Sequence, residues 1–210
     1  MANSVQNTPV PLAILISGRG SNMRAIVEAI GEGRVQAVVR VVVANREDAA
    51  GLVWAREAGI ETLVVPHRGY ATRDLYDRAL VDALTSRGVK LVCLAGFMRR
   101  LGPAFCDAFP LAVLNVHPSL LPSFTGVDAQ AQALAHGVKV SGATVHFVTP
   151  DLDAGPIIMQ AAVPVRDDDT SDTLSARILV QEHLIYPDAV QRVIAGGWRI
   201  DGRRVVQTDI

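Results

Sequence analysis

The sequence predicts an α/β protein: a doubly wound, mostly parallel sheet (Rossmann-like) with an antiparallel C-terminal addition. Three observations point there. Short apolar runs and helical patterns rotate strictly up to residue 117. Strand, helix, strand in rotation requires parallel pairing, with helices on both faces. Beyond residue 117, two strand patterns follow one another across a short loop, which suits antiparallel pairing. The chain of 210 residues, 50% apolar and 20% charged, suits one globular domain with its own core.

Leu12 to Ser17 reads as a buried strand that stops at Gly18-Arg-Gly20, where Ser21 can cap a helix to about Glu32. Ala37 to Ala44 is a Val-rich strand. Asp48 can cap a helix to Ala58, stopped by Gly59. Thr62 to Val65 is a strand ended by Pro66, and Thr72 to Arg87 a helix stopped by Gly88. Lys90 to Ala95 is the next strand. Pro103 opens a short helix to Phe109, and Ala112 to Asn115 is a fifth strand. A helix over Asp128 to His136 precedes strands Ser141 to Val148 and Pro156 to Val165. Asp172 can cap a helix that Pro187 breaks or kinks before a second stretch runs to Ala195. Trp198 onward reads as a hairpin on an Asp201-Gly202 type I′ turn. Residues 1–11 are expected to be a flexible polar tail, and 12–210 a single domain.

Composition narrows the function. Twenty basic against 21 acidic residues, net −1, argues against a nucleic-acid or anionic-membrane surface and for small-molecule substrates. The longest apolar run, Leu91 to Met98, is too short to span a bilayer. Residues 1–11 lack a signal-peptide pattern, so a cytoplasmic location is expected. Cys93 and Cys106 read as packed thiols. The histidines at 67, 117, 136, 146 and 183 form no His-x-x-x-His pair, and Gly-x-Ser-x-Gly is absent. Neither a metal site nor a serine nucleophile is expected.

Three segments can carry chemistry. Ser17-Gly-Arg-Gly-Ser-Asn22 joins a strand to a helix, where free N–H groups attract phosphate. Met23 and Asn45 stand where a dinucleotide fingerprint requires Gly and an acid, so a single phosphate is the better fit. Asn115-Val-His-Pro-Ser-Leu-Leu-Pro122 ends a strand. Asn115 and His117 share its face, one a neutral donor for an oxyanion, the other a proton carrier. Thr149 to Pro156 is a turn whose Asp151 and Asp153 are ordinary turn residues unless one meets His117. His146 reads as a structural histidine or one that supports the site residues from behind, and Glu182 sits at the edge of an apolar stripe.

Read together, Gly18-Arg-Gly-Ser-Asn22, Leu94-Ala-Gly-Phe-Met-Arg99, Asn115 to Pro122, Gly142-Ala-Thr-Val-His-Phe-Val148 and Leu152-Asp-Ala-Gly-Pro156 resemble the folate-dependent formyltransferases, from about Leu12 to Asp201. The Gly-x-Gly-Ser-Asn loop points to the members with a phosphorylated acceptor. The resemblance implies transfer of the formyl group of 10-formyltetrahydrofolate to the amine of 5′-phosphoribosylglycinamide, in purine synthesis, without a metal. It implies Asn115, His117 and Asp153 as the catalytic trio. Gly20, Ser21, Asn22 and Glu182 would meet the ribonucleotide. Arg73, Met98, Arg99, Arg100, Leu101 and Asn115 would meet the folate. Thr125, Asp128 and Leu179 depart from residues found in some members. Hydrolysis of formyl-folate and a non-catalytic nucleotide-phosphate sensor are the alternatives. A monomer or homodimer is expected.

Overall fold

The apolar alternation of β1 (Val10–Ile16) sets up two cores, because successive side chains leave opposite faces of a strand. In the computed structural model, which describes residues 8–208, Leu12, Ile14 and Ile16 pack on one face with Met23 and Ile26. Ala13 and Leu15 pack on the other with Tyr76, Leu80 and Phe105. All of these side chains are buried, and burying each large one contributes roughly 1.5–3 kcal/mol.

The chain continues through α1 (Ser21–Gly31), β2 (Ala37–Ala44), α2 (Gly51–Glu57), β3 (Thr62–Val64), α3 (Arg73–Thr85), β4 (Leu91–Leu94), α4 (Pro103–Ala108) and β5 (Val113–His117). After these come α5 (Ala129–Ala135), β6 (Val140–Phe147), β7 (Ile157–Pro164), α6 (Ser171–Ala195), β8 (Trp198–Asp201) and β9 (Arg204–Gln207). One sheet holds the strands in the order β3-β2-β1-β4-β5-β6-β7-β9-β8. β1 to β5 pair in parallel, and β6 reverses the direction. β7 pairs antiparallel to β6, while β9 joins β7 in parallel through Ile157 and Arg204. The α/β class, the parallel half and the antiparallel addition follow the sequence pattern. β1 has β2 on one side and β4 on the other, so the strand order reverses there. A crevice opens at the carboxyl ends of these strands, where ligands of open α/β sheets bind.

Several local expectations are corrected. β1 begins at Val10, which pairs with Ala37, so residues 10 and 11 belong to the sheet. Residues 1–7 of the expected tail lie outside the described residues. The N-cap of α1 is Gly20, not Ser21, because the left-handed backbone there (φ 73°) suits glycine. Ala50, not Asp48, precedes α2; the Asp48 carboxylate is taken by Arg46. Thr170, not Asp172, caps α6 and forms a capping box with Thr173. Pro187 does not break α6, which runs 25 residues, because Ile178, Ile185, Tyr186, Ala189 and Val190 bury both halves along one flank. The final turn is Gly202-Arg203, since Asp201 pairs with Arg204. Positive φ at Gly202 alone is the type II′ signature, not type I′.

Tyr186 ties α6 to the sheet beneath the site. Its hydroxyl lies 3.0 Å from the carbonyls of both Leu94 and Leu114, near the ends of β4 and β5. Tyr186→Phe removes the donor both oxygens share and should lower stability by about 1–2 kcal/mol in chemical denaturation, with an unchanged m-value. An unchanged midpoint would show that this bond contributes nothing net.

Candidate active site

The strand-to-helix junction presents free backbone N–H groups. Arg24 N–H bonds to the Gly20 carbonyl at 3.0 Å, so the preceding N–H groups of Ser21, Asn22 and Met23 have no intrahelical acceptor. A side chain at Gly20 would crowd Met23 and the Gly51 backbone, which keeps this loop close to α2. Gly20, Ser21 and Asn22 line a cleft of about 680 Å³ together with Arg19, Asn45, His67, Met98 and Arg99. The Asn22 side chain is buried and turned toward α6, donating to Glu182 Oε2 at 2.6 Å. Burial pushes the Glu182 carboxyl above the usual carboxylate range, opposed by the Asn22 bond and the nearby His117 charge.

Asn115, His117 and Asp153 converge. His117 Nδ1 lies 3.5 Å from Asp153 Oδ2, and both side chains are under 10% exposed. Nε2–H of His117 donates to the Phe124 carbonyl at 2.8 Å, because a carbonyl can only accept. Asp153 Oδ2 also accepts the Gly126 N–H at 2.8 Å. Asp153 adopts a left-handed backbone (φ 50°), a region aspartate tolerates better than most residues. It also borders a separate cavity of about 230 Å³ with Leu121, Pro122 and Arg203.

His146, read from sequence as structural or as a support for the site residues, holds Asn115. Its Nδ1–H donates to the Phe147 carbonyl at 2.8 Å, which leaves Nε2 as an acceptor. The Asn115 amide donates to that nitrogen at 3.2 Å. Burial pushes the His146 pKa down, opposed by the Phe147 hydrogen bond and the Asp153 charge, and the acceptor role of Nε2 toward Asn115 requires a neutral ring. Its 3.9 Å approach to Asp153 Oδ1 is therefore not an ion pair. One Asn115 amide hydrogen is thus engaged and the other remains available. The β6 register was the signal for His146: it stands opposite Asn115, and cross-strand partners share a face.

The residues expected on the folate side are spread out. Met98 and Arg99 are exposed and line the cleft. Arg100 makes a long contact, 3.5 Å, to the Pro150 carbonyl. Leu101 packs into the core with Phe105 and Tyr76. Arg73 opens α3 on the surface and does not line the cleft. Two side chains not anticipated from sequence fix the segment carrying these residues: Ser17 Oγ accepts the Met98 N–H at 2.8 Å, and Asp77 Oδ2 accepts the Gly102 N–H at 2.7 Å. Among the described residues, no three His, Cys, Asp or Glu side chains cluster to hold a metal ion. No helix among them is long and apolar enough to cross a membrane.

Comparison with known proteins places this geometry. A family model described as formyl transferase matches residues 10–190. Phosphoribosylglycinamide formyltransferase of Escherichia coli is 43% identical over 192 residues, covering 91% of this chain and 88% of that protein. The trifunctional purine biosynthetic protein adenosine-3 of Bos taurus is 46% identical over 197 residues, 94% of this chain. The chain spans about a fifth of the length of that protein and of its human counterpart. The crystal structure of glycinamide ribonucleotide transformylase 1 from Symbiobacterium toebii matches with a TM-score of 0.96 at 48% identity, covering 100% of this chain and 99% of that one.

The raised Glu182 pKa has a thermodynamic consequence. A carboxyl whose folded pKa lies above its unfolded value gives its full stability contribution below the unfolded pKa. That contribution is lost as pH rises through the folded value. Glu182→Gln keeps an acceptor for Asn22 and does not titrate. Its stability relative to wild type should therefore rise with pH above the ordinary carboxylate range, measured as paired melting curves from about pH 5 to about pH 8. A difference that stays flat with pH would show that Glu182 titrates normally.

Proposed function

The chain belongs to the formyl transferase family, among the phosphoribosylglycinamide formyltransferases of de novo purine synthesis, and from that premise we propose how its own residues carry the reaction. The formyl group passes from N10 of 10-formyltetrahydrofolate to the amine of 5′-phosphoribosylglycinamide. The observation that carries this reading is the meeting of Asn115, His117 and Asp153 near a phosphate-accepting helix N-terminus.

The acceptor amine attacks the formyl carbon directly, so no enzyme nucleophile is needed. The carbonyl π pair moves to oxygen, giving a tetrahedral oxyanion. The free amide hydrogen of Asn115 and a proton on His117 Nδ1 donate to that oxygen, where charge develops. The Asp153 carboxylate, 3.5 Å from Nδ1, orients the imidazole. A proton then leaves the amine and reaches the folate N10, through Asp153 or His117, as the carbon–N10 bond breaks. The products are the N-formyl acceptor and tetrahydrofolate.

The free N–H groups of the α1 first turn hold the acceptor phosphate. Glu182 lies close by as the acceptor-side carboxylate, held by Asn22. Binding energy at the phosphate, remote from the reacting atoms, orients the amine. On the folate side, Arg99 at the cleft and Arg73 at the start of α3 are the cations for the glutamate carboxylates, with Met98, Arg100 and Leu101 in the intervening segment.

Asp153→Asn keeps the size of the side chain and removes its charge. Turnover in a formyl-transfer assay should fall ~10²–10³-fold, while affinity for the ribonucleotide stays near wild type, because the phosphate is anchored elsewhere. A folded Asp153→Asn protein with near-normal turnover would overturn the mechanism.

A further inference from the structure

The segment Met98 to Gly102 is pinned at both ends by side chains distant in sequence. Ser17, at the end of the first strand, receives the Met98 N–H, and Asp77, on α3, receives the Gly102 N–H. The second pin is chemically odd. Asp77 is 1% exposed, and no side chain among the described residues ion-pairs with it. Its second oxygen has no hydrogen-bond partner, nor has the neighbouring Tyr76 hydroxyl. Burial pushes its carboxyl above the usual range, and the Gly102 bond opposes that push. A buried carboxylate with one backbone partner is costly, because one hydrogen bond compensates only part of its desolvation.

Gly102 occupies the N-cap position of α4, where a residue ordinarily caps the helix with its own side chain. Here the position has no side chain, and a Cβ would come within 2.9 Å of Asp77 Oδ2. Asp77, on a different helix and one turn beyond Arg73, accepts the N–H of this cap residue itself. Arg73 and Arg99 both lie near enough to lower the pKa of Asp77. Both cations assigned to the folate tail lie in its neighbourhood, and its bond to Gly102 fixes the backbone three residues beyond Arg99.

We propose that Asp77 is a positioning residue for folate recognition: through the Gly102 N–H it sets the exit of the Met98–Gly102 segment and so the placement of Arg99. This inference rests on the formyl-folate reading of the cleft. Asp77 does not touch the reacting atoms, so its removal acts on folate binding and not on the chemical step.

The test is steady-state kinetics of Asp77→Ala and Asp77→Asn, with each substrate varied in turn and with melting curves as a control. Loss of one hydrogen bond to a charged group predicts a folate KM about tenfold higher in Asp77→Ala. Turnover at saturating folate should hold within about twofold, and the acceptor KM should not move. Asp77→Asn retains an oxygen for the Gly102 N–H and should recover most of the folate affinity. Should Asp77→Ala fail to fold, Gly102→Ala crowds the same contact with the carboxylate intact and should raise the folate KM alone. Equal KM rises for both substrates, a loss confined to turnover, or Asn no better than Ala would each overturn the proposal. A wild-type protein unable to use formyl-folate would instead defeat the functional reading, so the two failures are distinguishable.

Discussion

The register between β5 and its antiparallel neighbour β6 governs the site. Asn115 faces His146 across the ladder, and His117 faces Thr144. The first pairing orients the Asn115 amide. The second holds the chain just beyond His117: Thr144 Oγ1 donates to the Ser119 carbonyl at 2.7 Å and accepts the Leu121 N–H at 3.0 Å. The β6–β7 connection then supplies Asp153. A slip of one residue would turn every one of these side chains to the opposite face. A single strand reversal thus places a donor, a proton carrier and a carboxylate together without a dedicated subdomain.

Three buried carboxylates share one design. Asp153 accepts from the Gly126 N–H, Glu182 from the Asn22 amide and Asp77 from the Gly102 N–H. Each partner belongs to a segment bordering the site: the Phe124–Asp128 connection, the turn that opens α1 and the stretch that follows β4. Taking a carboxylate out of water is unfavourable, and one neutral hydrogen bond offsets only part of that cost. The molecule therefore spends stability to hold three mobile kinds of backbone in fixed places. The large alternating cores on the two sheet faces supply the surplus that makes this tolerable.

Much of this was legible in the sequence. The strand–helix rotation, the Gly-rich turn and the shared face of Asn115 and His117 are local patterns, and local patterns survive without coordinates. The caps were less legible. Ser21 and Asp48 are good cap residues, but backbone conformation at Gly20 and the pull of Arg46 on Asp48 decided otherwise. Pro187 carries a strong local penalty that burial along α6 outweighs. Asp77 was illegible for a different reason. On a helix it looks like any surface acid, and only the return of the chain at Gly102, 25 residues later, gives its carboxylate a partner. Long-range pairings of this kind leave no periodic trace.

Backbone strain is concentrated where the chemistry is. Apart from glycines, four described residues have positive φ: Leu111, Phe124, Asp128 and Asp153. Aspartate visits that region readily, but a bulky phenylalanine does not, and such a residue persists only where its surroundings over-determine it. Phe124 has such surroundings. Its carbonyl takes the His117 Nε2–H, and its ring packs 5.3 Å from that of His136. Two residues on, Gly126 donates to Asp153, which is itself left-handed. The imidazole is thus held between two left-handed backbone points, one accepting at Nε2 and the other presenting a carboxylate at Nδ1. Relaxing either would free the ring to rotate. The strain at Phe124 and the left-handed turn at Asp153 are therefore part of what fixes the orientation of the His117 ring.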